Sequence, residues 1–214
     1  YKREDLKEGS ATIDIERGRM ESIYPRPWLT DTSIARKSWS YTPDLDYYST
    51  TRLVHDLIDI VSKNGCLLLN VAPRADGTIP EEQKTRLLGM GQWLKQNGEA
   101  IYSTRPWRKF GEGPTNVPGG HFGDLKFEGF TDKDIRFTTK GDTLFAIAMG
   151  WPAKELTIRS LGKKEEPKEV SSVRLVGHKT DLTWQRNEEA LIIPLPETKP
   201  CEHAYVFAVD FESF

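Results

Sequence analysis

The fold of this chain is decided by residues 64–80, which read NGCLLLNVAPRADGTIP. The apolar run at 66–69 is short, continuous and bounded by turn residues, a pattern that predicts a strand buried on both faces. The first polar side chain, Asn70, comes where the strand passes into a loop, and in a β/α barrel such loops build the active site. Asn70 itself, together with Asp76, is expected to tie this loop through hydrogen bonds from side chain to backbone.

A helix is predicted before this strand. Thr50 or Thr51 is placed to cap it, and it runs to about Lys63. Its apolar residues recur at helical spacing and predict one buried face. They are Leu53, Val54, Leu57, Ile58 and Val61.

A second helix is predicted after the strand. Pro80 suits its first turn, Glu81 and Glu82 favour its positive N-terminal end, and the Asn-Gly pair at 97–98 ends it. The apolar face predicted for it consists of Leu87, Leu88, Met90, Gly91 and Leu94.

Shorter segments upstream predict further strands. Residues 11–17 alternate between apolar and polar side chains, which predicts a strand whose end delivers Asp14, Glu16 and Arg17 to a loop. Two more strand-like segments follow, at 29–34 and 37–41. Three or four strands, two of them followed by helices, are too few to close an eight-stranded barrel.

The C-terminal half has a different composition. A Gly- and Pro-rich stretch at 111–124 is typical of a linker, and short strands alternate with turns beyond it. The strands are predicted at 135–138, 143–149, 155–158, 170–175, 182–185, 190–194 and 204–211. Seven strands at this spacing predict an antiparallel β-sandwich. The chain is therefore expected to be α/β at 1–110 and all-β at 125–214.

Several motifs of the chain resemble the α-L-fucosidases of glycoside hydrolase family 29. Besides 64–80 they are WLTDTSI at 28–34, SWSY at 38–41, GQWL at 91–94, NGEAIY at 97–102, PW at 106–107 and FAIAMGWP at 145–152. The resemblance implies a (β/α)8-like barrel, of which 1–110 would be the C-terminal portion, followed by the β-sandwich. It also implies that the N-terminal half of the barrel, with an aspartate nucleophile, lies upstream of Tyr1.

The resemblance further implies a retaining exo-α-L-fucosidase that needs no cofactor and acts on fucosylated oligosaccharides or glycoconjugates. Such an enzyme holds two carboxyl groups about 5–5.5 Å apart, one as nucleophile and one as acid/base. One branch of the family has the acid/base glutamate directly after the tryptophan that matches Trp28. Here that position is Leu29, which cannot transfer a proton.

The acid/base role is therefore expected on the loop at 41–49, with Asp46 ahead of Asp44. Neighbouring tyrosines could desolvate one of these carboxyls and raise its pKa, as a general acid at neutral pH requires. The alternative is that both are solvated loop residues. Glu16 is the third acid/base candidate, and a structural role is its alternative.

Three residues are candidates for binding the sugar. The spacing from Arg17 to Trp28 matches a basic residue that the family places near the sugar. Its guanidinium could hydrogen-bond hydroxyls or a carboxylate, or form an ion pair with Glu16 or Asp14 instead. The indoles of Trp28 and Trp39 could contact the apolar face or the methyl group of a deoxy sugar. A core position is the alternative for both and the preferred one for Trp39.

Composition limits the other partners. With 214 residues and a net charge of −2, the chain gives no reason to expect nucleic acid or an anionic membrane. The four histidines lack metal-ligand spacing, and no disulfide is expected between Cys66 and Cys201. A secreted or periplasmic location, lysosomal in an animal, is implied by the resemblance alone. The rival function is an inactive fucoside- or glycan-binding protein of the same fold.

Overall fold

The computed structural model of the chain describes residue 7, residues 9–180 and residues 182–212. Its N-terminal part is built on three parallel strands, β1 Ile13–Asp14, β2 Trp28–Ser33 and β3 Gly65–Asn70, paired in that order. Helix α1, Thr50–Ser62, connects β2 to β3, and helix α2, Glu81–Asn97, follows β3. Because the strands are parallel, all three end at the same edge of the sheet.

Two of the three upstream strand predictions are confirmed by β1 and β2, and the third is wrong. Residues 37–41 turn instead of extending. The Ser38 hydroxyl donates to the Ser40 carbonyl at 2.7 Å and accepts from the Ser40 N–H at 3.2 Å. These local bonds compete with strand pairing, which the apolar pattern alone could not indicate.

Both predicted helices are present, with changes at their ends and faces. The cap of α1 is Ser49, one residue before the expected threonines, and its side chain accepts from the Arg52 N–H at 3.1 Å. On α2, Met90 and Trp93 are buried, whereas Leu88 is 63% exposed. The predicted apolar face was therefore centred too far towards Leu88.

Strand β3 is buried on one face and not on both. Leu67 and Leu69 pack against the core beneath α1 and α2. On the opposite face Cys66 is exposed, and Leu68 is 55% exposed. The prediction of two buried faces is wrong here because no element of the described chain covers the second face.

The C-terminal part is an antiparallel β-sandwich, as predicted. Its strands are β4 Arg105–Glu112, β5 Ile135–Lys140, β6 Thr143–Ala148, β7 Glu155–Ile158, β8 Val170–Leu175, β9 Gln185–Arg186, β10 Leu191–Pro194 and β11 Tyr205–Phe211. One sheet has the order β4-β5-β6-β11-β8 and the other the order β7-β10-β9. Phe137 and Phe207 from the first sheet meet Ile158 and Leu191 from the second in one buried core.

Strand β4 is an addition to the seven predicted strands. It pairs with β5 through Arg105 opposite Thr139 and Glu112 opposite Ile135. The predicted division between residues 110 and 111 therefore falls inside a strand of the sandwich. Local composition did not indicate this strand, because Pro106, Gly111 and the following glycines favour a loop.

The two parts of the structure share buried contacts. Trp93 of α2 donates its indole N–H to the carbonyl of Ala204, just before β11, at 2.9 Å. Asp59 of α1 accepts from Nε of Arg136, on β5, at 2.6 Å. These bonds fix the position of the sandwich against the helices. Among the described residues, no helix is both long and apolar enough to cross a membrane.

Candidate active site

The loops after β1, β2 and β3 meet at the carboxyl end of the parallel sheet. Asn70, at the end of β3, donates from Nδ2 to the Ser33 hydroxyl at 3.1 Å and to the Trp39 carbonyl at 2.8 Å. These bonds tie the loop after β2 to β3, which is the kind of role predicted for Asn70. The strand-end site comprises five residues around this edge: Glu16, Arg17, Trp39, Asn70 and Asp124.

Arg17 is the most heavily engaged side chain of the strand-end site. Its guanidinium lies 3.0 Å from the carboxylate of Asp124 and donates to the carbonyls of Ala35 and Arg36. It also lies 5.2 Å from the ring centre of Trp39. The ion pair foreseen as the alternative is thus formed, but with an acid about a hundred residues away in sequence. A direct role for Arg17 with the sugar stays a prediction.

Asp124 reaches this edge because residues 113–124, here the return loop, fold back onto the turn after β1. The Phe122 N–H donates to the Glu16 carbonyl at 2.9 Å, and the Gly120 N–H donates to the Arg19 carbonyl at 2.8 Å. Arg19 and Gly120 form an antiparallel bridge. The stretch predicted as a linker therefore packs against the strand-end site and contributes Asp124 to it.

Glycine at position 18 permits this close approach. A Cβ atom at Gly18 would lie 1.8 Å from the carbonyl oxygen of Gly120, well inside contact distance. On the other side of the loop, Arg52 of α1 donates to the carbonyls of Asp124 and Phe127, each at 2.7 Å. The return loop is held from both sides.

Of the two candidate tryptophans, Trp28 takes the core position that was its alternative, and Trp39 does not take the core position preferred for it. Trp28 is completely buried, donates its indole N–H to the Lys63 carbonyl at 2.9 Å, and packs so tightly that a Cβ at Gly65 would lie 2.5 Å from its ring. Of the two positions left open for Trp28, its ring therefore has the core one and not one at the surface of the strand-end site. Trp39, preferred as a core residue, is 37% exposed beside Arg17.

The three acid/base candidates lie in two environments. The Asp46 side chain is 65% exposed, with its carboxylate 3.5 Å from Nε of Arg36, and Asp44 is also exposed. The tyrosine-lined desolvation expected for this loop is not formed around either carboxyl. Glu16 is half-buried, and its N–H donates to Nδ1 of His121 at 3.1 Å. The acid/base roles of all three stay predictions.

Asp31 of β2 was missed by the sequence reasoning. Burial and then the neighbouring carboxyl of Asp14 raise the pKa of Asp31. Its Oδ1 atom is buried and has no hydrogen-bond partner among the described residues. The available signal was alternation along β2, which puts Asp31 on the same strand face as Leu29.

Two family models match the chain in sequence. The first, described as Alpha-L-fucosidase, covers residues 2–99, and the second, described as Alpha-L-fucosidase C-terminal domain, covers residues 128–210. The chain belongs to the α-L-fucosidase family. The two matched regions correspond to the parallel sheet with its helices and to the β-sandwich.

Named α-L-fucosidases are similar over most of this chain. Human tissue alpha-L-fucosidase is 32% identical over 186 residues, which is 84% of this chain and 35% of that protein. Rat plasma alpha-L-fucosidase is 32% identical over 202 residues, which is 87% of this chain and 39% of that protein. The chain thus spans little more than a third of the length of these relatives.

Solved α-L-fucosidases have the same fold over the part of their length that this chain matches. The Thermotoga maritima alpha-fucosidase in complex with fucose is 30% identical, with a TM-score of 0.71 over 89% of this chain and 41% of that one. Isoenzyme 1 from Paenibacillus thiaminolyticus is 22% identical, with a TM-score of 0.73 over 94% of this chain and 45% of that one, and shows the fold alone. Nothing in these comparisons favours the rival of an inactive binding protein.

The Asp14–Asp31 pair leads to a prediction on stability. Because the folded chain raises the pKa of Asp31, its contribution to stability is full below about pH 4 and falls as the pH rises through the folded pKa. Asp31→Asn removes this loss, so the variant should be about 0.2–1 kcal/mol more stable than the parent at pH 7 and no more stable at pH 3.5. Thermal melts at both pH values measure the difference.

Asp44→Asn, a change of the same chemistry on an exposed loop, is the control and should shift neither melt. A loss of stability in Asp31→Asn at pH 7 would mean that the carboxylate makes favourable contacts in its charged form.

No group of three metal-ligating side chains comes together among the described residues. The strand-end site combines two carboxyl groups, a buried guanidinium, an amide and the exposed indole of Trp39. Such a set is suited to holding a polyhydroxylated ligand by hydrogen bonds and ring contacts.

Proposed function

We propose that this chain acts in a retaining exo-α-L-fucosidase that releases terminal fucose from fucosylated oligosaccharides or glycoconjugates. The observation that carries the proposal is the 30% identity, over 89% of the chain, with a Thermotoga maritima α-fucosidase solved with fucose. In the complete protein, the three parallel strands would be joined by an N-terminal half to close a (β/α)8-like barrel. That half would supply the aspartate nucleophile.

The chemistry requires two carboxyl groups. The nucleophile attacks the anomeric carbon, while the acid/base protonates the departing glycosidic oxygen and then activates water. In this chain the acid/base candidates remain Asp46, Asp44 and Glu16. Glu16 gains support from its place at the end of β1, next to Arg17 and the return loop.

The remaining site residues have separate roles in the proposal. Trp39 offers an exposed indole for the apolar side of the deoxy sugar. Arg17 is buried beside Trp39. Its guanidinium would donate hydrogen bonds to the sugar or to a neighbouring carboxylate. A secreted or lysosomal location is proposed from the human tissue and plasma relatives.

The test is hydrolysis of an aryl α-L-fucoside by the full-length protein, with the anomeric configuration of the released fucose followed by NMR. Asp46→Ala, Asp44→Ala and Glu16→Ala are compared with the parent in the presence and absence of azide. We expect the acid/base variant to lose about 100-fold or more in kcat, with partial rescue by azide as an external nucleophile.

Asp142→Ala, in an exposed turn of the β-sandwich, is the matched control and should retain parental activity. Inversion of configuration, or no hydrolysis by a folded parent protein, would refute the proposed function. Parental rates in all three variants would instead refute the acid/base assignment and leave the activity itself standing.

A further inference from the structure

The return loop presents two exposed aromatic rings beside the strand-end site. Phe122 is 57% exposed, and His121 is also exposed. The two ring centres lie 6.3 Å apart with their planes inclined by 42°. Neither ring contributes to the buried clusters of the fold, so packing gives no reason for aromatic residues at these positions.

The backbone that carries these rings is firmly fixed. The Phe122 N–H donates to the Glu16 carbonyl at 2.9 Å, and the Asp124 N–H donates to the Arg17 carbonyl at 3.1 Å. The buried carboxylate of Asp124 then pairs with the guanidinium of Arg17. The loop therefore holds both rings at a set distance from the strand end.

Phe122 has an unfavourable backbone conformation for its residue type. Its φ is 56°, in the left-handed region that bulky side chains rarely adopt. Glycine would fit this position without strain, and the loop already contains several glycines. Residues in such sparsely populated backbone conformations cluster at active sites and ligand clamps.

His121 is fixed in one tautomer by the same turn. Its Nδ1 accepts the Glu16 N–H at 3.1 Å, so in the neutral ring the proton is on Nε2. On an exposed ring, this Nε2–H is available as a hydrogen-bond donor. The pair therefore combines an apolar ring face with a fixed polar donor.

We propose that His121 and Phe122 recognise the sugar to which the fucosyl residue is attached. The inference rests on the proposed function. An exo-acting enzyme encloses the terminal sugar at the strand ends, so the next sugar extends towards the exposed rim, where these rings stand. The Phe122 ring offers a surface for the apolar face of a pyranose, and His121 Nε2–H donates to one of its hydroxyls.

The experiment compares two substrates of the full-length protein that differ only beyond the fucosyl group. α-L-Fucosyl fluoride has no second sugar, and α-L-fucosyl-(1→2)-lactose has two more. We expect Phe122→Gly and His121→Ala to lower kcat/KM for the trisaccharide about tenfold and to change kcat/KM for the fluoride less than about twofold. Glycine removes the ring while accepting the φ of this turn, so the loop keeps its shape.

Tyr102→Ala is the matched control, since Tyr102 is 58% exposed and lies outside the return loop. It should affect neither substrate. An equal loss on both substrates, or no loss on either, would overturn the proposal. Equal losses together with a lower melting temperature in Phe122→Gly would show that another part of the protein packs on this ring.

A folded parent that hydrolyses neither substrate would refute the proposed function separately. In that case calorimetric titration of the parent and of Phe122→Gly with fucose and with the trisaccharide decides the inference. Weaker binding of the trisaccharide alone supports it, and unchanged binding of both overturns it.

Discussion

Replacing Asp59 by asparagine should lower the free energy of unfolding by about 3–5 kcal/mol. Asp59 is fully buried on α1 and holds three cations at once. Its carboxylate lies 2.9 Å from Lys63, 3.2 Å from Arg19 and 2.6 Å from Arg136. An amide at this position would remove the charge that faces Lys63 and Arg136 and leave Arg19 with Asp56 alone, at 2.8 Å. Arg136 would also lose its link from the sandwich to α1.

The pH dependence of this effect follows from the same contacts. Burial favours the neutral acid, but the charges of Lys63, Arg136 and Arg19 outweigh it and hold the pKa of Asp59 well below its usual range. The contribution of Asp59 is therefore complete above about pH 4 and is lost as the pH falls towards the folded pKa. The difference between parent and variant should be constant from pH 5 to 8 and shrink in stronger acid.

Urea denaturation at several pH values measures the difference. Glu99→Gln is the matched control, because it makes the same carboxylate-to-amide change in a pair with Arg174 whose side chains are about 40% exposed. That change should cost less than about 1 kcal/mol. An Asp59→Asn loss as small as that of the control would mean that the buried cluster contributes little to stability.

Much of the fold could be predicted because its signals are local. The spacing of Leu53, Val54 and Ile58 indicated α1, and the six residues of β8, Val170–Leu175, were predicted with the observed bounds. These patterns depend on neighbours within one or two turns or strands, which the sequence contains directly. Family motifs then indicated how the elements are combined.

The failures have a common physical cause, which is dependence on distant partners. The apolar run of β3 resembles a strand buried on both faces, yet Leu68 is exposed, because burial depends on which elements lie opposite. The glycines and prolines of the return loop resemble a linker, although its Phe122 N–H pairs with Glu16, 106 positions earlier in the sequence. Local composition carries no information about such contacts.

The candidate site was predicted in outline and missed in detail. Glu16, Arg17 and Asn70 were placed at strand ends from alternation and from the end of an apolar run, and they lie there. Asp124 had no signal of its own, since an acid in a Gly-rich stretch is typical of a solvated turn. Its role depends on Arg17, whose positive φ of 49° turns the chain after β1.

Breaking the Arg17–Asp124 ion pair should therefore loosen the site as well as the fold. The two side chains are only 7% and 5% exposed, and their charged atoms lie 3.0 Å apart. Asp124→Ala leaves a buried guanidinium with carbonyl partners only, and Arg17→Met leaves a buried carboxylate without its cation. Each variant should lose about 3–5 kcal/mol of unfolding free energy.

A double-mutant cycle separates the pair from its surroundings. The double variant Arg17→Met/Asp124→Ala has no uncompensated charge, so its loss should be smaller than the sum of the single losses by about 2–3 kcal/mol. Urea denaturation of the four proteins gives this coupling energy. The Arg36–Asp46 pair, 3.5 Å apart with side chains 42% and 65% exposed, is the matched control and should couple by less than about 1 kcal/mol.

The Arg17–Asp124 ion pair should also affect activity, because Asp124 fastens the loop that carries His121 and Phe122. In the full-length protein, Asp124→Ala should lower kcat/KM for a fucosylated trisaccharide more than for fucosyl fluoride, since the fluoride does not reach the loop. Additive stability losses in the cycle would show that the ion pair does not fasten the loop. Equal losses on both substrates would show that Arg17 and Asp124 support the fucosyl pocket itself and not the rim around it.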